Sequence, residues 1–202
     1  MLDAAMRRVI DPPLNELGRR LAARGVAADA VTLVGLGFGL VAAALIALGA
    51  PAAALLPLAL SRLADGLDGA IARTAGKTDF GGYLDITCDF LFYAAVPLGF
   101  VALDPAANAL PGAALLASFY VNGSSFLGFA ILAAKRGIET RQQGEKSLYY
   151  SAGLLEGTET ILFFVALCLF PGLFPLLSWI FALLCLVTAG ARVLLARRLF
   201  RG

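Results

Sequence analysis

The feature that most constrains this chain is a succession of apolar stretches, each about one membrane crossing long, joined by short polar breaks. Six of them fall at about 30–49, 51–73, 82–104, 110–134, 149–170 and 173–196. Each approaches the roughly 20 residues that a helix rising ~1.5 Å per residue needs to cross ~30 Å of hydrocarbon. Pro51, Pro105, Pro111 and Pro171 punctuate the breaks. Of the 202 residues, 60% are hydrophobic, and the mean hydropathy is +0.85. A soluble core of this length has no use for so much apolar surface, so its solvent is lipid. The sequence therefore predicts an all-α polytopic membrane protein forming one domain over residues 1–202. Six transmembrane helices occupy 30–196, and a juxtamembrane amphipathic segment occupies 1–25.

The basic residues orient this bundle. Arg7, Arg8, Arg19, Arg20 and Arg24 precede the first span, and Arg73 and Lys77 lie between the second and third. Lys135, Arg136, Arg141 and Lys146 lie between the fourth and fifth, and Arg192, Arg197, Arg198 and Arg201 close the sixth. The turns near Pro51, Pro105 and Pro171 carry none. By the positive-inside rule both termini are expected in the cytoplasm. Richness in Ala, Leu, Gly and Arg suggests a bacterial source, hence an inner membrane. In the N-terminal segment, Leu2, Met6, Val9, Ile10, Leu14, Leu17 and Leu21 can share a broad face, with Asp11-Pro12 expected to restart a helix at its cap. That pattern predicts an interfacial helix with its arginines toward anionic headgroups; an ordinary cytoplasmic arm is the alternative. With no continuous apolar run, the start is not expected to be a cleavable signal peptide.

Composition excludes several chemistries. The chain has no histidine, which removes Ser-His triads and most zinc and iron sites. A formal net charge of +2 gives a nucleic-acid partner no electrostatic support. Cys88, Cys168 and Cys185 lie singly in apolar runs without ligand spacing and read as small buried apolar residues.

Charged residues inside the spans are costly, roughly 2.5–3.5 kcal/mol each on insertion scales, and point to function. The second span holds Arg62, Asp65, Asp68 and Arg73; the third holds Asp85 and Asp89; the fifth holds Glu156 and Glu159. Asp65 and Asp68 are three residues apart and Asp85 and Asp89 four, so each pair projects from one helix face. The two helices form a hairpin about the turn at 74–81, which sets both pairs at similar depth and facing each other. Four carboxylates in one low-dielectric pocket repel strongly. Arg62 and Arg73 are available to offset two of them, and hard cations with oxygen ligands suit the rest, with room for two ions. A structural salt-bridge cluster and a divalent-cation channel or transporter stand as alternatives. The charges gather near one end of the spans, whereas a transport path needs polar groups along both halves. Gly66, Gly69, Gly76, Gly81 and Gly82 suit either close helix packing or the approach of a bulky ligand; together with Arg73 and the carboxylates they suggest a site for a diphosphate bridged by metal.

Residues 65–89 read DGLDGAIARTAGKTDFGGYLDITCD. This stretch closely resembles the signature of the CDP-alcohol phosphatidyltransferase family, with matches at Asp65, Asp68, Gly69, Ala72, Arg73, Gly81, Asp85 and Asp89. It departs once: seven residues rather than about eight separate Arg73 from Gly81. The resemblance implies a membrane enzyme of phospholipid synthesis. A phosphatidyl group passes from a CDP-linked lipid, such as CDP-diacylglycerol, to the hydroxyl of a small alcohol, and CMP leaves. It implies that Asp65, Asp68, Asp85 and Asp89 hold Mg²⁺ or Mn²⁺, that Asp89 also serves as general base, and that Gly69, Arg73 and Gly81 contact the CDP portion. Upstream, Asp29 and Thr32 match a family segment that helps hold the cytidine, although Ala28 replaces its proline; Asp29 is equally suited to cap the first span. A homodimer is expected from the same resemblance, with Gly112, Gly123, Ser124 and Ser125 available for packing.

The acceptor is less constrained. Glu156 and Glu159 share a helix face and are candidates to bind acceptor hydroxyls or an amine. Relatives that use inositol phosphate are similar here but carry arginines where this chain has Gly157 and Thr160, which argues against a phosphorylated acceptor. Lys135 and Lys146, with Arg136 and Arg141, are available to replace them, although positive-inside topology alone accounts for these residues.

Overall fold

The computed structural model describes residues 3–137, 155 and 157–200, with side chains from residue 10 onward. Seven α-helices and one short 3₁₀ turn make up the described fold: α1 (Asp3–Ala23), α2 (Ala28–Ala47), α3 (Pro51–Ala75), α4 (Asp79–Leu103), α5 (Pro105–Lys135), α6 (Gly157–Leu169), the turn Pro171–Leu173 and α7 (Phe174–Phe200). No strand occurs among the described residues.

Local chemistry sets the helix ends. Pro51 and Pro105 open α3 and α5 at first-turn positions where a missing N–H costs nothing. The Asp104 carboxylate caps α5 by accepting from the Ala107 amide at 3.2 Å. The Thr78 hydroxyl caps α4 by accepting from the Gly81 amide at 2.9 Å. Gly76, at φ 107°, supplies the left-handed step that ends α3 and turns the chain into α4.

Helices α2, α3 and α4 form one tightly packed group, and α5 packs with α7. Close approach depends on small residues. A Cβ on Gly99 of α4 would stand 2.6 Å from the Ala43 carbonyl oxygen of α2, and one on Gly35 would stand 3.0 Å from the Ala64 Cβ of α3. The core is aromatic: Phe92, Phe100, Phe164 and Phe174 are fully buried, with Phe100 and Phe174 stacked at 5.1 Å and Phe163 and Phe181 at 4.1 Å. Many large apolar side chains point outward instead, including Leu33, Val34, Leu56, Ile131, Leu183 and Val193, all more than half exposed. An exterior of that kind is matched to lipid.

By length and composition, Ala28–Ala47, Asp79–Leu103, Pro105–Lys135 and Pro171–Phe200 can cross a bilayer. The molecule is thus a multi-pass helical membrane protein. Helix α3 is long enough at 25 residues but carries Arg62, Asp65, Asp68 and Arg73. Helix α6 is described for 13 residues, ~20 Å of rise; residues 149–154 and 156 of the expected fifth span lie outside the described residues.

Three expectations need correction. Helix α1 runs unbroken through Pro12 and Pro13 rather than restarting at Asp11-Pro12. Both prolines are exposed, and the helix is held across them by docking on α3. There Leu14 is buried against Gly66, and Gly18 meets Ala70. Tertiary contact thus overrides the local breaker. Asp29 does not cap α2: the cap position is Ala27, without a side-chain bond, and Asp29 sits in the first turn. Helix α5 begins at Pro105 rather than near 110, because Asp104 and Pro105 together start it. Beside α3, the Glu16 carboxylate accepts from Arg19 and Arg20 on the exposed side of α1. The hydrogen bond from Arg19, then that from Arg20, holds its pKa below the usual carboxylate value.

Candidate active site

The site lies where α3 and α4 diverge from the turn at Gly76–Thr78, with α2 as its third wall. Asp65 of α3 and Asp85 and Asp89 of α4 converge so that one carboxylate oxygen from each lies within 4.8 Å of the others. The one-face spacing within each helix and the hairpin between them produce this convergence. Asp68 stands beside the trio and lines the same cavity of about 10 Å³, together with Thr32, Gly35, Leu36, Ser61, Arg62, Asp65, Cys88 and Asp89. Asp68 is 5% exposed, and its carboxylate accepts a 2.6 Å hydrogen bond from the Thr32 hydroxyl of α2.

Of the two arginines expected to offset these charges, only Arg62 is there. Its Nη1 donates to Asp89 Oδ1 at 2.9 Å and lies 3.7 Å from Asp65 Oδ1, while its Nη2 donates to the Ser61 hydroxyl at 3.1 Å. The guanidinium lies 3.8 Å above the centre of the Phe92 ring. Arg73 turns to α1 instead, donating from Nη2 to Asn15 Oδ1 at 2.8 Å and from Nε at 3.3 Å. Four aspartates gather around one arginine, so acidic groups outnumber the basic group within the cluster. An all-oxygen donor set with surplus negative charge fits a hard divalent cation.

The other candidates fall around this centre. Gly69 lies beside the Arg73 guanidinium: a Cβ there would be 3.3 Å from Nη1. Gly81 leaves room next to Asp29, whose Oδ1 would stand 3.1 Å from a Cβ at that position. The structure therefore brings Asp29 to the start of α4, across from the α3–α4 turn. Thr32 contacts Asp68, a partnership that the sequence pattern did not reveal. Lys135 is exposed in the last turn of α5, and Glu159 lies in the first turn of α6. Glu156, Arg141 and Lys146 lie outside the described residues. The three cysteines are free and buried, as their apolar settings suggested, although Cys88 also lines the cavity.

Asn15, Ser61 and Phe92 escaped the sequence reading because their roles need tertiary partners. In the sequence Arg192 is one of the basic residues that close the last span. It reaches α5, donating to the Asn122 carbonyl and Oδ1 at 3.0 Å each and to the Ser125 hydroxyl at 2.6 Å.

A site of this kind, paired carboxylates on two facing helices within a membrane bundle, defines a membrane-embedded, metal-using enzyme class. Residues 26–191 match the model of the CDP-alcohol phosphatidyltransferase family, and the chain belongs to that family. Among its relatives, the inner membrane protein YnjF of Escherichia coli is 51% identical over 193 residues, covering 96% of this chain and 94% of that protein. The archaetidylinositol phosphate synthase of Pyrococcus horikoshii is 36% identical over 95 residues, 46% of this chain and 50% of that one. The fold is shared with the phosphatidylinositol phosphate synthase of Mycobacterium tuberculosis solved with CDP-DAG bound: TM-score 0.65 and 21% identity over 91% of this chain and 93% of that one. The same synthase in complex with manganese and citrate gives a TM-score of 0.62 at 22% identity, over 89% and 87% of the two chains.

Proposed function

We propose that the α3–α4 aspartate cluster is where this chain carries out its family's reaction, transfer of a phosphatidyl group from a CDP-linked lipid to an alcohol hydroxyl with release of CMP. The observation that carries the reading is the convergence of Asp65, Asp85 and Asp89 within 4.8 Å, inside the segment matched to the family. CDP-diacylglycerol is the proposed donor, supported by the synthase structure with CDP-DAG bound. Asp65, Asp68, Asp85 and Asp89 would hold Mg²⁺ or Mn²⁺, with two ions the proposed complement; manganese accompanies the related synthase in one structure. When bound, divalent metal supplies charge neutralisation on the diphosphate and polarises the bond to the departing CMP.

The chain's own residues do the remaining work. Asp89 takes the proton of the acceptor hydroxyl, since the chain offers no histidine for that task. The acceptor oxygen forms a bond to the lipid-side phosphorus as the bond from that phosphorus to the CMP oxygen breaks. Gly69 and Gly81 keep space for the CDP portion, Arg73 supplies positive charge to it, and Asp29 and Thr32 are the proposed contacts of the cytidine end. Asp29 lies against Gly81, which supports grouping them in one subsite. Glu156, Glu159, Lys135 and Lys146 are proposed for the acceptor. The acceptor is a small alcohol, and Gly157 and Thr160 in place of arginines favour one without a phosphate.

The same reading covers the architecture. One domain over 1–202 carries six spans over 30–196, with charged α3 and short α6 completing the four long apolar helices. Residues 1–25 form the interfacial segment; α1 docks on α3 through Leu14 and Gly18 while Ile10 and Leu17 stay exposed, the split that a helix at a lipid interface needs. Both termini and the site face the cytoplasm of a bacterial inner membrane, on the distribution of Lys and Arg. A homodimer is proposed as the assembly, membrane lipid as the surroundings, and no nucleic-acid partner. Nothing among the described residues favours a cation channel or transporter.

The test is CMP release from CDP-diacylglycerol by purified protein with Mg²⁺ or Mn²⁺. The acceptor panel is glycerol 3-phosphate, serine, inositol, inositol phosphate, choline and ethanolamine. Release that depends on one acceptor and disappears in Asp89→Asn supports the assignment and names the acceptor. Equal release by wild type and Asp89→Asn removes Asp89 from the mechanism.

A further inference from the structure

Arg62 is a buried cation held on several sides at once. It sits one helical turn before Asp65, on the side of the cluster away from the α3–α4 turn, and its side chain is 17% exposed. Each part of the guanidinium is used differently. One face lies on Phe92 at 3.8 Å, Nη2 is held by Ser61, and Nη1 reaches two of the converging carboxylates. Phe92 and Ser61 are themselves fully buried, and both press on Gly39 of α2. A Cβ there would be 2.6 Å from the Phe92 ring and 3.2 Å from the Ser61 hydroxyl. The platform is therefore rigid, and the cation upon it has little freedom to swing away. Yet Arg62 Nε is buried without a hydrogen-bond partner among the described residues. A buried guanidinium with an unsatisfied donor is a poor device for stability alone, because desolvation offsets much of what its ion pairs return.

We propose that Arg62 is a positioning residue and a fixed counter-cation of the carboxylate site. It fastens Asp89 through Oδ1, leaving Oδ2 to meet a metal ion or the acceptor's proton, and it weakens the site's hold on divalent cations. This rests on the metal-binding reading of the aspartates. A positive charge 2.9 Å from Asp89 and 3.7 Å from Asp65 repels any dication that the same two carboxylates attract. The arginine thus keeps the cluster from binding metal so tightly that the cation, not the substrate diphosphate, dictates its geometry. It also keeps Asp65 and Asp89 together when metal is absent.

A purely structural brace and a counter-cation predict opposite changes in one variant. Removal of a residue that merely braces the site weakens metal binding; removal of a counter-cation strengthens it. Mn²⁺ titrations of the purified full chain in detergent, read by electron paramagnetic resonance, are the measurement, with thermal melts with and without Mn²⁺ alongside. Arg62→Gln is expected to bind Mn²⁺ roughly tenfold or more tightly than wild type, to gain more melting temperature from Mn²⁺, and to lose CMP release. Arg62→Lys, which keeps the charge, is expected to bind Mn²⁺ within about threefold of wild type. Unchanged or weaker Mn²⁺ binding by folded Arg62→Gln overturns the proposal. If that variant does not fold, Phe92→Leu loosens the guanidinium while retaining it; a smaller tightening is then expected, and none overturns the proposal. Asp65→Asn separates the two readings. If it binds Mn²⁺ as wild type does, the metal is elsewhere and the metal-site reading itself fails.

Discussion

Helices α3 and α4 both pack on α2, yet the two ends of this group are held together by different physics. Near the start of α3 and the end of α4, apolar contact runs through α2: Leu58, Val96 and Phe100 are fully buried, and Gly99 of α4 lies on the Ala43 backbone of α2. Near the turn that joins them, the same helices face each other through Asp65, Asp85, Asp89 and Arg62. The first half gains from packing and pays nothing electrostatic. The second gathers like charges that favour separation, and among the described residues Arg62 is the ion-pair partner that offsets them. The apolar end is the clamp that lets the polar end stay unfavourable until ligands arrive. Changes at the two ends should therefore have separable effects.

The largest expected effect is at the polar end and on chemistry alone. Asp89→Asn removes the proposed base, a contribution of typically 10²–10⁴-fold, while the melting temperature in detergent stays near wild type or rises as repulsion falls. A large drop in melting temperature would place Asp89 in the clamp instead. At the apolar end, Phe100→Ala empties a fully buried ring position stacked on Phe174 at 5.1 Å and should cost about 3–5 kcal/mol. In protein that remains folded, metal affinity should be unchanged. Gly99→Ala is milder: a Cβ only 2.6 Å from a backbone oxygen forces α2 and α4 apart, at about 1–3 kcal/mol. Both are checked by chemical or thermal unfolding in detergent. Loss of Mn²⁺ binding in folded protein would show that the halves are not independent.

Much of this division was legible in the sequence, and for definite reasons. Apolar runs of membrane length located α2 to α5 and α7 because lipid leaves the chain few options besides helix. The aspartate spacing placed Asp65 facing Asp85 and Asp89 because a short hairpin fixes register. Asp68 was less predictable: it lies on the same helix face as Asp65, but Thr32 from α2 engages its carboxylate, and no local pattern reports a third helix. Arg73 reads as a charge for the cluster until α1 is in place, whereupon Asn15 takes it. The unbroken course of α1 through Pro12 and Pro13 was hidden for the same reason, since docking on α3 decides it.

Thr32 joins α2 to the polar end of the hairpin. Its hydroxyl donates to the carboxylate of Asp68, a residue 5% exposed, so Thr32→Val leaves Asp68 without that partner at nearly unchanged volume. A lost hydrogen bond to a charged group is worth about 1.5–3 kcal/mol. Part of that should return when Mn²⁺ is present, since metal at Asp68 would satisfy the same oxygen. A stability loss identical with and without Mn²⁺ would argue that Asp68 does not ligate metal.

The smallest effect tests whether α1 does more than lie on the membrane. Asn15 and Arg73 are exposed at their contact, with Nη2 to Oδ1 at 2.8 Å, so Asn15→Ala should change stability by no more than about 0.5 kcal/mol. Its consequence is positional. On the proposed nucleotide role of Arg73, Asn15 keeps the guanidinium beside Gly69, where a Cβ would lie 3.3 Å from Nη1. Freed, the side chain samples other rotamers and must be ordered again whenever the CDP portion binds, at about 0.5–1.5 kcal/mol. Asn15→Ala should therefore raise the KM for the CDP-linked lipid a few-fold with little change in kcat or melting temperature. Were α1 only an anchor, KM would not move; a fall in kcat instead would tie α1 to the carboxylate end of the site rather than to the nucleotide.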